Sequence, residues 1–302
     1  AYLKYFAADR VIQAGGYLPP KAAATGKRVG IIGGGPGGLT AAYYLSLKGH
    51  RVTVVDAMPQ MGGMLRYGIP EYRLPKRVLD EEVAEIASLG VEMKNNFRIG
   101  TDVTFEEFKN SYDAVVLAIG AWESMPIGCP GEELDGVMGG IDFLRQVAMG
   151  EKPAIGDQVA VVGGGNTAMD AARLAKRSGA ESVTLVYRRT RKYMPADEHE
   201  LALALADGVT FAELAAPVKQ ADGVLKCEKM VLGEADASGR RSPVGSGEFF
   251  TVPCDLVISA VGEQVDDALM AANGIELDKK GRPAFQTNVD GVYAAGDAKR
   301  GP

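Results

Sequence analysis

Apolar residues along this chain come in short β-like runs that stop at glycine. Residues 29–32 form such a run, closed by "GGGPGG" (33–38), and a helix-length stretch from about Gly37 to Lys48 follows, ended by Gly49. A second run at 52–55 completes the pattern, which predicts a strand, a helix and a strand packed as one βαβ unit. About 130 residues later the same pattern recurs in "QVAVVGGGNTAMDAARLAKRSGAESVTLVYRR", with Gly179 ending the helix. The chain therefore carries two copies of one device. Further apolar runs at 113–121, 254–262 and 291–297 also reach glycine at or near their ends. Strands that end this way let a ligand approach backbone at their carboxyl ends, where open α/β sheets bind. Residues 1–27 predict a short amphipathic helix ("YLKYFAADRVI") and a loop, suited to packing or linking. Between Phe211 and Thr251 the segments become shorter and alternate, which predicts a β-meander whose flexible hairpin tip is "ADASGRRSPVGSGE".

Composition narrows the function classes. A length of 302 residues accommodates two domains, each with its own core. The net charge of −6, without a long basic tract, gives no reason to expect a nucleic-acid or anionic-membrane partner. No apolar run reaches the roughly 18 residues of a membrane span and no secretory pattern opens the chain, so a cytoplasmic location is expected. Cys129, Cys227 and Cys254 are scattered without a CxxC pair, which predicts buried or surface thiols. His50 and His199 have no metal-site spacing, and no metal is expected. The absence of an initial Met and the end at "GDAKRGP" suggest a segment of something longer.

The glycine runs carry the chemistry. In the first, Gly33 permits the tight turn, Gly35 lets backbone approach a pyrophosphate, Pro36 and Gly37 open the helix, and Gly38 lets helix pack on strand. Asp56, after the second strand, is placed to bond ribose hydroxyls. In the second, Gly164 and Gly165 take the loop positions, Ala168 replaces the third glycine, and Asn166 and Thr167 offer side-chain donors beside the phosphates. Where the first copy has Asp56, the second has Arg188 and Arg189, with Arg191 and Lys192 nearby. A guanidinium grips a 2′-phosphate that a carboxylate repels. Two loops of opposite ribose-end charge imply two dinucleotides, FAD at the first and NADPH at the second.

These residues resemble the flavoprotein part of the glutamate synthase small subunit and its relatives, within the glutathione-reductase-like two-dinucleotide flavoproteins. The matching motifs are the two glycine units, "GGMLRYGIPEYRLPK", "YMPA" and "GVYAAGD", and they run from about Val29 to Asp297. The resemblance implies an α/β fold of two Rossmann-like, three-layer ββα domains, with the NADPH domain (128–262) inserted into the FAD domain (1–127 and 263–302). It implies FAD contacts from Gly62, Gly63, Met64, Arg73 and Asp297, the last at the end of a strand whose Gly296 admits the flavin. Val103, Gly120 and Gly262 are further candidate cofactor contacts. Two features of the relatives are missing here: a cysteine-rich iron–sulfur domain ahead of the flavoprotein part, and a helix after the "GD" strand that completes the flavin site. The chain is thus expected to hold no cluster of its own, and its flavin affinity to be reduced.

The expected activity is hydride transfer from NADPH to FAD, followed by passage of electrons to iron–sulfur clusters in another segment or partner. No catalytic acid, base or nucleophile is needed, and none is assigned. A dithiol mechanism is disfavoured because CxxC is absent. Two alternatives are a flavin monooxygenase or oxidase and a non-catalytic nucleotide-binding or assembly module.

Overall fold

The computed structural model describes residues 2–221, 223–235 and 241–302. Each apolar run before a glycine turn becomes a strand: β1 (Arg28–Ile32) is exposed at its first residue and buried at the next four. It lies in a parallel sheet with β2 (Arg51–Val55), β3 (Glu92–Lys94), β4 (Ala114–Leu117) and β15 (Val292–Ala294), in the order β15-β4-β1-β2-β3. Parallel strands need crossovers, and the helix Pro36–Leu47 supplies the one between β1 and β2. Leu39 and Ala42 of that helix pack on Val29, Ile31, Val52 and Val54. Full burial of each such branched aliphatic side chain stabilises by about 1.5–3 kcal/mol. Gly49 then turns the chain at φ +86°, and a Cβ there would stand 2.0 Å from the Ala23 carbonyl oxygen. The helix stops there for steric as well as conformational reasons.

The second glycine motif builds a second parallel sheet. Its strands are β6 (Val137–Gly139), β7 (Gln158–Val162), β8 (Ser182–Tyr187), β9 (Thr210–Glu213) and β13 (Leu256–Ser259), in the order β6-β13-β7-β8-β9. The helix Asn166–Arg177 crosses from β7 to β8. One face of this sheet meets helices, through Phe143, Met169, Ala172 and Leu201. The other meets an antiparallel sheet of β10 (Ala215–Ala221), β11 (Val224–Ala235) and β12 (Arg241–Pro253), through Ala160, Val186, Leu225, Cys227 and Val252. The three-layer ββα arrangement is complete here, whereas the described residues around the first sheet include no antiparallel sheet of this size. A short antiparallel pair joins β5 (Glu123–Ser124) to β14 (Glu263–Gln264).

Two compact units result. The first comprises the described residues of Ala1–Arg66, Leu74–Gly120 and Val265–Gly301, and the second comprises Tyr67–Arg73 and Ala121–Gln264. The crossings therefore fall at 120/121 and 264/265, a few residues from the expected 127/128 and 262/263, and the short stretch Tyr67–Arg73 packs with the second unit. Other differences from the sequence reading are local. The N-terminal helix Tyr2–Gln13 forms, yet Leu3 and Phe6 are exposed. The meander is present, but the polar stretch read as its tip is ordered as strand from Arg241 onward. Residues 236–240 of that tip lie outside the described residues. A helix does begin after the "GD" strand, over Asp297–Arg300, with Gly296 rather than Asp297 as its N-cap.

Candidate functional site

In the first unit three glycine turns converge at one helix end. Gly33 takes φ +107°, and a Cβ there would reach 2.3 Å from the Ala118 carbonyl oxygen at the end of β4. Gly62 donates its N–H to the Gly34 carbonyl at 2.8 Å, and a Cβ on Gly63 would stand 2.6 Å from the Gly35 Cα. Gly296 approaches Gly37, where a Cβ would come 3.2 Å from its Cα. Only backbone without side chains can crowd this closely. The helix Pro36–Leu47 starts in the middle of these turns, its N-cap Gly35 offering no side-chain cap and its N1 Pro36 no N–H. The N–H groups of its first turn are thereby left to an anion.

Asp56 closes the other side of this cradle. Its Oδ2 accepts from the Gly34 N–H at 2.6 Å and its Oδ1 from the Met58 N–H at 2.8 Å. Burial pushes its carboxyl above the ordinary aspartate range, against the pull of those two N–H groups. Each oxygen keeps a second lone pair for a hydroxyl. Met64 opens the helix Met64–Tyr67 directly after the second turn, Val103 lies in a turn bridged to Ile99, and Gly120, φ +75°, follows β4. Arg66 was not foreseen from sequence. It is buried, donates from Nε to the Met61 carbonyl at 2.6 Å, and pairs through Nη2 with Asp80 at 2.5 Å.

The second unit repeats the turn with different neighbours. Gly163 takes φ +151°, with a Cβ there 2.1 Å from the Ala260 carbonyl oxygen at the end of β13. A Cβ on Gly164 would strike the Tyr187 ring at 2.3 Å, so this ring lines the loop as Met61 lines the first. The Tyr187 hydroxyl donates to the Tyr193 carbonyl at 2.7 Å, and the Ala196 N–H to the Gly164 carbonyl at 3.1 Å. The "YMPA" stretch is thus fastened against the glycine turn. Gly165, the N-cap of Asn166–Arg177, has no side-chain cap, and a Cβ there would meet nothing within 4 Å. The space beside the Gly165 Cα, at the start of this helix, is open.

Arg188 and Arg189 follow β8 directly. Arg188 is exposed, while the Arg189 Nε is buried without a hydrogen-bond partner. A buried guanidinium N–H left unpaired is costly. Lys192 is exposed beside them, its Nζ 5.9 Å from the centre of the Tyr193 ring. The Thr167 hydroxyl departs from expectation. It donates to Glu263 Oε1 at 2.7 Å, and a hydroxyl has one proton to give, so this donor is already used. Gly262, φ +145°, precedes Glu263.

Arg73, which the resemblance assigned to the flavin, has protein partners that the sequence did not show. It belongs to the second unit, where its guanidinium pairs with the buried Asp170 at 2.5 Å and stands 3.5 Å from Glu200. The adjoining Tyr72 ring is covered by Arg173 and Arg177 at 4.7 and 4.5 Å, and burial pushes its hydroxyl up to about 12. These contacts anchor Tyr67–Arg73, and no glycine turn in the sequence signals them.

The three cysteines are buried in the second unit, and burial pushes the Cys227 thiol up to about 12. Among the described residues no group of His, Cys, Asp and Glu stands together to hold a metal ion. Nor is any described helix long and apolar enough to cross a membrane.

Comparison with known proteins places this geometry. A family model described as "Pyridine nucleotide-disulphide oxidoreductase" matches residues 27–302. The chain is 42% identical over 315 residues to the "NADPH-Fe(3+) oxidoreductase subunit beta" of Geobacter sulfurreducens, covering 91% of this chain and 47% of that one. It is 40% identical over 300 residues to the "Glutamate synthase [NADPH] small chain" of Azospirillum brasilense, covering 91% of this chain and 62% of that one. The chain spans roughly half to three-fifths of these relatives. Among solved structures, FprA of Mycobacterium tuberculosis in complex with NADPH superposes with a TM-score of 0.76 at 22% identity, over 91% of this chain and 80% of that one.

Proposed function

Because the chain belongs to the pyridine nucleotide-disulphide oxidoreductase family, we propose that it holds FAD at its first glycine turn and NADPH at its second, as an NADPH-dependent oxidoreductase. The observation that carries this reading is the contrast at the ribose ends. Asp56 stands at one, and Arg188 with the unpaired Arg189 Nε stands at the other.

The residues present fit both groups. In the first unit Gly33, Gly37 and Gly63 let backbone segments approach more closely than Cβ atoms would allow, and the free first-turn N–H groups of the helix they surround suit a pyrophosphate. In the second, the open backbone at Gly165 and the first turn opened by Asn166 take the pyrophosphate, and the two arginines take the 2′-phosphate. When bound, NADPH supplies a hydride that FAD accepts as an electron pair and can release singly. The protein's own contribution is positioning, since no acid, base or nucleophile is required.

The onward route is proposed to be an iron–sulfur domain or subunit. Three buried cysteines, one of them strongly resistant to ionisation, do not make a redox dithiol in this chain. The Geobacter relative is named as a subunit of an Fe(3+) oxidoreductase, which agrees with electrons leaving for another polypeptide.

Anaerobic titration of FAD-reconstituted protein tests the reading. NADPH is expected to bleach the flavin absorbance, and NADH to do so only at far higher concentration. With Arg188 and Arg189 both changed to Ala, the NADPH concentration needed is expected to rise on the order of 100-fold, while that of NADH stays within a few-fold. Equal losses for the two nucleotides would refute the 2′-phosphate assignment. Failure to retain any FAD would refute the flavoprotein reading.

A further inference from the structure

The proposed NADPH site contains one carboxylate that its glycine and arginine motifs do not account for. Glu263 directly follows Gly262 past β13, on the strand Glu263–Gln264. Its Oε1 accepts from the Thr167 hydroxyl at 2.7 Å, and Thr167 is the second residue of the Asn166–Arg177 helix. The carboxylate therefore stands at the mouth of the glycine loop. It is held there from two sides: by that hydroxyl, and by the pairing of its backbone with Ser124.

Strand order decides which half of a dinucleotide this carboxylate meets. In an open α/β sheet the ligand lies across the carboxyl ends of the strands where their order reverses, with the pyrophosphate on the helix that follows the first strand. Here the first strand is β7, and its neighbours are β8 on one side and β13 on the other. The arginines end β8, so the adenosine half lies over β8. The nicotinamide half must then extend over β13, whose end adjoins the loop closely enough that a Cβ on Gly163 would touch the Ala260 carbonyl oxygen.

Resting on the reading of this loop as an NADPH site, we propose that Glu263 is a recognition residue for the nicotinamide half, and that Thr167 is its positioning residue. The donors available on that half are the carboxamide N–H₂ and the ribose hydroxyls, and a carboxylate is an acceptor for either. Thr167 fixes one oxygen, which reduces the rotamer freedom lost when the other is engaged. The same negative charge favours the oxidised, positively charged nicotinamide ring over the reduced one.

Calorimetric titration with NADP⁺ and with 2′,5′-ADP, which keeps the 2′-phosphate but lacks the nicotinamide half, tests this. For Glu263→Ala the expected result is roughly tenfold weaker NADP⁺ binding with 2′,5′-ADP within twofold of wild type. Thr167→Val should give a smaller loss for NADP⁺ alone, and Thr167→Ser should restore it, a hydroxyl-specific rescue that a packing role would not produce. The double variant Arg188→Ala, Arg189→Ala should weaken both ligands. Unchanged NADP⁺ binding in Glu263→Ala, or equal losses for both ligands, overturns the role of Glu263 while leaving the NADPH site standing. Wild-type protein that binds neither ligand overturns both.

Discussion

The two glycine turns of this chain perform one backbone task with different tolerances. In the first, a Cβ on Gly38 would stand 1.9 Å from the Gly33 carbonyl oxygen, so the helix can approach the turn only with glycine there. In the second, the equivalent residue is Ala168, fully buried, and the turn accommodates its methyl group. The turns themselves differ accordingly, with Gly33 at φ +107° and Gly163 at φ +151°. The residues that follow their second strands differ more. After its second strand the first unit has a carboxylate tied into the turn by the Gly34 N–H, and the second unit has two arginines, one with an unpaired Nε. On the proposed reading, a few side chains at strand ends select the ligand of the same fold device, while the glycines set how closely backbone approaches.

Exchanging the third-glycine positions probes that comparison most severely. Gly38→Ala is expected to abolish FAD retention, because the new Cβ meets backbone rather than a movable side chain and overpacking of this kind costs about 1–3 kcal/mol or more. Flavin absorbance of the purified, FAD-incubated protein checks it. Retention at the wild-type level would show that the first turn has the slack of the second.

A smaller effect is expected from pH at Asp56. Its carboxyl lies above the ordinary aspartate range through burial. As pH falls through that raised value the group takes up a proton and ceases to accept at both oxygens. FAD affinity should therefore fall at a higher pH than an ordinary aspartate would give, and Asp56→Asn should remove that step while weakening binding throughout. Fluorescence titration of FAD across the acidic range measures both. NADPH binding at the arginine-ended turn should show no Asp56-dependent step.

The smallest effect is expected for Ala168→Gly, which converts the second turn to the glycine pattern of the first. Glycine in a helix costs about 1 kcal/mol relative to alanine, so thermal stability should drop modestly. NADP⁺ binding should stay within about twofold. A large loss of binding would mean that the Ala168 methyl, not only the backbone, shapes the loop.

Much of this was legible in the linear pattern because it is local. Val29, Ile31, Val52 and Val54 reveal their strands by apolar runs, and Gly49 and Gly179 end their helices with the positive φ that glycine permits, +86° and +110°. The opposite charges of Asp56 and of Arg188 and Arg189 were legible for the same reason, being fixed by position after a strand. Non-local partners were not. Nothing near Arg73 in the sequence announces Asp170, and the resemblance that assigned Arg73 to the flavin gave no sign of that pair. Arg66 and Asp80 are likewise 14 residues apart and meet only through the fold.

The amino-acid order alone determined two βαβ units, their glycine turns and the opposite charges at their ends, since each depends on residues within one strand, turn and helix. Only the tertiary structure decided which carboxylates those turns and helices meet: Asp56 on the Gly34 N–H, Asp170 on Arg73, and Glu263 on Thr167, the last across 96 residues of chain. Such pairings depend on strand order and close backbone approach, and neither is written at any single position.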